Sequence, residues 1–76
     1  MEKLTRKQFE VLEAAATSSV LLTQRDFAAK LGCSLGSVNR TVAELNELGY
    51  LTKTTITPSG VDGLEPYRVK RAVFIA

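Results

Sequence analysis

Apolar residues recur at helical spacing through the first two thirds of the chain and give way to β-favouring and turn-forming residues after Gly49. From Leu4 to Ala16, at ~100° per residue, Phe9, Leu12 and Ala16 share one face with Val11 and Ala15 beside them, which predicts a first helix. Thr5 and Gln8 form a Thr-x-x-Gln capping box at its start, and Leu4 is placed to staple on Phe9. The same grammar recurs in Gln24 to Leu51. Thr23 is an N-cap with Asp26 three residues on, and Leu22 is set to staple on Phe27. Gly32 follows Leu31 and can take the left-handed conformation that closes a helix. Ser34 then caps a further helix, so a tight turn joins two helices as a helix-turn-helix. In the later helix Val38, Val42 and Leu45 gather on one side, flanked by Leu35, Thr41 and Leu48, and belong to a core. Gly36, Asn39, Arg40, Ala43 and Glu47 occupy the opposite side and have no reason to be buried.

The connecting and terminal segments are β-favouring. Val20 to Leu22 is a short run trapped between a loop and the Thr23 cap, and reads as a small strand that pairs with a sheet. Tyr50 to Thr57, rich in β-branched residues, reads as a strand. PSGVDGLEP then holds two Pro and two Gly within nine residues and must turn or break. From the residues alone this is a wing loop followed by a returning strand, YRVKRAVFIA, which sets Lys53, Arg68, Lys70 and Arg71 within reach of phosphates. Ala72 to Ala76 is apolar at every position, as a strand covered on both faces would be. The chain stops inside that run, so it is expected to be an N-terminal fragment whose sheet continues elsewhere.

Composition narrows the chemistry. Seventy-six residues make one domain and leave no room for a large enclosed active site. No apolar run approaches the ~20 residues of a membrane span, and the first residues lack the apolar segment of a secretory signal, so the expected compartment is the cytoplasm. Cys33 is the single cysteine and histidine is absent, which leaves no parts for a zinc site, a Cys-His nucleophile pair or an intrachain disulfide. Neither a cofactor nor catalysis by this chain is expected. The net charge of +2 is weakly basic for a nucleic-acid binder and counts against tight autonomous binding.

The exposed side of the capped helix carries the functional expectation. Asn and Arg have the paired donors and acceptors that match adenine and guanine edges in the major groove, and Gly36 and Ala43 would let a backbone approach closely. An Asn and an Arg on an amphipathic helix are by themselves ordinary solvated residues; the short turn and the double capping shift the balance toward a recognition helix. The expected contacts with double-stranded DNA comprise Ser34, Leu35, Gly36, Ser37, Asn39, Arg40 and Ala43 on that helix. Thr23 and Gln24 at the preceding helix start, Lys53 on the wing, and Arg68 and Lys70 beyond it complete the set. Glu44 and Glu47 would oppose phosphates, so only the N-terminal half of the helix is expected to enter the groove.

The run LGCSLGSVNRTVAELNELGYL resembles the helix-turn-helix of MarR-like winged-helix regulators, with Leu31, Gly32, Ser34, Val38, Val42, Leu45, Gly49, Tyr50 and Leu51 in the pattern positions and Ala28 at the helix crossing. Thr41 departs from the usual aliphatic residue. The resemblance implies a mainly α fold with a small β-sheet, a winged helix-turn-helix of three core helices plus a short β wing, acting as a bacterial transcriptional regulator. Thr57-Pro58-Ser59-Gly60 also resembles the Thr-Pro-x-Gly that starts the helix after the wing in such proteins, which implies a short helix from Pro58 to Leu64 capped by Thr57. Wing loop and short helix both stay open.

A second resemblance covers PYRVKRAVFIA. It is similar to the join between a winged-helix domain and a bacterial sugar or phosphocholine nucleotidyltransferase, with Lys70, Arg71, Ala72, Val73, Phe74, Ile75 and Ala76 matching the strand before a glycine-rich loop that is absent here. It implies a winged-helix domain over residues 1–66, with 67–76 a terminal strand that starts a following enzyme domain. The competing function is then a protein-interaction or regulatory domain that never reads DNA. A homodimer is expected on two grounds, the two-fold symmetry of many DNA sites and the exposed terminal strand.

Overall fold

The computed structural model describes residues 3–75, with side chains described through Tyr67. Its elements run α1 (Arg6–Thr17), α2 (Gln24–Leu31), α3 (Leu35–Glu47), β1 (Leu51–Thr52), β2 (Thr55–Ile56) and α4 (Pro58–Ile75). Each helix starts at a hydroxyl. The Gln8 N–H donates to Thr5 Oγ1 (3.1 Å) while the Thr5 N–H donates to Gln8 Oε1 (3.0 Å), and Thr23 and Asp26 repeat the reciprocal pair at 3.1 and 2.9 Å. Ser34 Oγ accepts from the Ser37 N–H and Thr57 Oγ1 from the Gly60 N–H. These caps satisfy amide groups that a helix start otherwise leaves without partners.

The core takes Val11, Leu12 and Ala14 from α1, Phe27 from α2, Val38, Val42 and Leu45 from α3, Leu51 from β1 and Leu64 from α4. Full burial of a residue such as Phe27 contributes about 1.5–3 kcal/mol. Leu4, Phe9 and Leu22 pack against this core, as the staple positions require. Thr41 is buried, and its hydroxyl donates to the Ser37 carbonyl at 3.0 Å, so the departure from an aliphatic residue leaves no unsatisfied group. Cys33 is a free, half-buried thiol against the same core.

The sheet has two antiparallel strands in the register Leu51 to Ile56 and Thr52 to Thr55. The expected single strand from Tyr50 to Thr57 is therefore a hairpin, folded back at Lys53 and Thr54. Folding back turns Leu51 and Ile56 together toward the core and gives each short strand a partner. The strand expected at Val20 to Leu22 does not form. Ser18 Oγ donates to the Val20 carbonyl (2.7 Å) and accepts from the Val20 N–H (3.2 Å), so a local turn takes the groups a ladder would use. Val20 and Leu21 are left exposed.

The returning strand is likewise replaced. Helix α4 begins at Pro58 behind the Thr57 cap, as the Thr-Pro-x-Gly resemblance implied, and continues to Ile75. The expected boundary at 66/67 falls inside it, and residues 67–75, read as a strand, are helical in backbone. An unbroken apolar run such as AVFI does not distinguish strand from buried helix by its period, and a capped helix propagates through it. Residues 67–75 therefore offer no strand edge for a second copy to pair with. The side chains of Arg71 to Ile75, and Ala76 altogether, lie outside the described residues.

Candidate nucleic-acid interface

Gly32 makes the turn between α2 and α3. It lies at φ 67°, ψ 36°, a left-handed conformation that costs other residues about 1–2 kcal/mol. Its N–H and that of Cys33 both donate to the Ala28 carbonyl, the latter at 3.1 Å, which ends α2 and reverses the chain so that Ser34 starts α3. Val38, Thr41, Val42 and Leu45 then fix the rotation of α3 about its axis by their burial.

That rotation leaves Gly36, Asn39, Arg40, Ala43 and Glu47 exposed together on the outer face, with Leu35 at 39% exposure beside them. Ser34 is exposed and engaged in its cap, while Ser37 is half-buried. At the start of α2 Thr23 is exposed and Gln24 half-buried. Lys53 sits exposed at the hairpin turn. Arg68 and Lys70 lie on the backbone of α4 and not on a returning wing strand, and their side chains are outside the described residues. The expected residues thus divide into a contiguous group on α3, a pair at the α2 start, and Lys53.

Gly36 has no role in the packing. A Cβ built there meets nothing within 4 Å, and the residue lies in the regular helix. Charge is uneven along α3. Arg40 and the partial positive charge of the helix start occupy the N-terminal half, Glu44 and Glu47 the C-terminal half. Glu44 accepts a hydrogen bond from Gln8 Nε2 at 3.1 Å, which ties this acidic end to α1.

Asn46 is the residue that sequence reasoning passed over. Its Nδ2 donates to the Lys53 carbonyl at 3.1 Å and its Oδ1 accepts from the Lys53 N–H at 3.1 Å, while Nδ2 also donates to the Val42 carbonyl at 2.8 Å. The last turns of α3 therefore grip the tip of the hairpin. Only a polar residue near the end of an amphipathic helix announced it, which is no signal at all.

A groove of about 260 Å³ lies between the Ser18–Leu22 loop and the hairpin. It is lined by aliphatic, serine and threonine residues, with no titratable side chain to act as acid or base beside their hydroxyls. Among the described residues there is no cluster of three or more His, Cys, Asp or Glu fit to hold a metal, and no helix is long and apolar enough to cross a membrane.

The model of the MarR family matches residues 3–63, a span that takes in the three core helices, the hairpin and the first turns of α4. No curated protein and no solved structure matches the chain.

Proposed function

The chain belongs to the MarR family, a family of winged-helix regulators, and from that premise we propose that it reads double-stranded DNA with the N-terminal half of α3 laid in the major groove. Asn39 and Arg40 reach base edges, Leu35 and Ala43 lie against thymine methyls, and Ser34, Ser37, Thr23, Gln24 and Lys53 meet phosphates. The acidic residues Glu44 and Glu47 keep the far half of the helix out of the groove. Two copies on a two-fold site are the arrangement this reading expects.

Gly36 is the observation that carries the proposal. Glycine costs up to about 1 kcal/mol against alanine inside a helix and less in the first turn, where Gly36 is the second residue of α3, and nothing in the fold requires it at this position. It lies on the exposed face with Asn39 and Arg40, where the lack of a side chain suits a helix that comes close to another molecule. Gly36→Ala should therefore raise thermal stability by up to about 1 kcal/mol and still weaken DNA binding.

The test is fluorescence anisotropy on duplexes selected from a random pool, across a salt series. Arg40→Ala should lose about 1–3 kcal/mol and relax the preference at one base-pair position. Unchanged affinity and selectivity in Arg40→Ala would reject the proposed reading face. Gly36→Ala with greater stability and full binding would remove the argument for close approach.

A further inference from the structure

We propose that Asn46 is the positioning residue that locks the wing tip to the recognition helix, so that Lys53 meets the phosphate backbone in fixed register with Asn39 and Arg40; this rests on the DNA-binding reading above. The hairpin cannot supply that register alone. Its strands are two residues each, too short a ladder to hold a tip in place. Lys53 also stands at φ 58°, a left-handed backbone that a lysine disfavours and keeps only where its surroundings impose it.

The two-residue turn demands that φ, and the Asn46 amide ties the turn to α3 by engaging both backbone groups of Lys53 at once, accepting from the N–H and donating to the carbonyl. Asparagine and glutamine carry a donor and an acceptor side by side on one short planar group, and here the donor is steadied in turn by the Val42 carbonyl. Val42 itself is buried in the core, so the tip is referenced to the part of α3 that sets the reading face. The Lys53 ammonium has no ion-pair partner among the described residues and stays available to an anion.

The experiment measures duplex affinity across a salt series for the full chain, Asn46→Ala, Lys53→Ala, the double variant and Arg40→Ala. Alanine at 53 meets the same left-handed backbone as lysine, so that substitution removes the charge without relaxing the turn. Asn46→Ala should melt cooperatively, bind about three- to tenfold more weakly and lose about one phosphate from its salt slope. Lys53→Ala should do the same, and the double variant should be no worse than either single one. If Asn46→Ala melts too low to assay, Asn46→Leu replaces it. That variant keeps the side-chain volume and the charge unchanged, loses the acceptor and both donations, and should show the same drop in salt slope.

A salt slope and affinity equal to wild type in the asparagine variant, or losses that add in the double variant, would overturn the positioning role. Weak binding by Arg40→Ala beside full binding by Asn46→Ala would overturn that role alone. Failure of the wild-type chain to bind any selected duplex would overturn the DNA-binding reading and this role with it.

Discussion

Asp26 closes the capping box of α2 as an anion. The Thr23 backbone N–H, with a smaller part from the Thr23 side chain, holds its carboxyl below the ordinary value of 3.8. A carboxyl whose folded pKa lies below its unfolded one adds stability above the unfolded value and loses it as pH falls through the folded value. Melting temperature should therefore fall on acidification below pH 3.8, and part of that acid limb should vanish in Asp26→Asn. An NMR titration of the Asp26 carboxyl checks the assignment directly; a midpoint at or above 3.8 would contradict it. Thr23, Asp26, Gly32 and Ser34 were legible in the sequence because each acts on backbone within three or four residues of itself. Asn46 was not, because its partner Lys53 is seven residues away across a helix end and a strand, and only the completed fold brings them together.

Between elements, the fit of α4 against the hairpin depends on two glycines. A Cβ at Gly60 would collide with the Tyr50 carbonyl oxygen and lie 2.8 Å from Ile56 Cγ1, while one at Gly63 would lie 2.9 Å from the Tyr50 ring. Gly60→Ala should thus destabilise by about 1–3 kcal/mol in urea unfolding despite the better helix propensity of alanine. The same substitution at Gly36 should have the opposite sign; a neutral or stabilising effect of Gly60→Ala would refute the packing assigned to Gly60. These glycines also explain why α4 was hard to read. Two Gly and Pro66 within its first half argue for a loop by propensity, yet the Thr57 cap, Pro58 at the first helical position and burial of Leu64 outweigh them. Val20 to Leu22 shows the converse error. Its β-favouring side chains are real, but a strand exists only with a partner, and the Ser18 turn withholds Val20 from one.

Across the whole molecule, the start of the described chain is joined to the middle of α4 at Tyr67. Its hydroxyl accepts from the Leu4 N–H at 2.7 Å, 63 residues away in sequence, and its ring lies 5.5 Å from Phe9 at 38°. Tyr67→Phe keeps the ring contact and removes the hydrogen bond, so unfolding free energy should drop by about 0.5–1.5 kcal/mol, with faster amide exchange at Leu4. No change in either quantity would show that this link carries no stability. Such a contact between residues distant in sequence was beyond reach of periodicity or capping rules, whereas the order of helices and the outward face of α3 were within it. The hydroxyl-capped starts at Thr5, Thr23, Ser34 and Thr57 have a kinetic corollary. With each rod's first residue marked locally, long-range docking does not have to decide where the rods begin, and chains rich in local contacts fold on the order of microseconds to milliseconds.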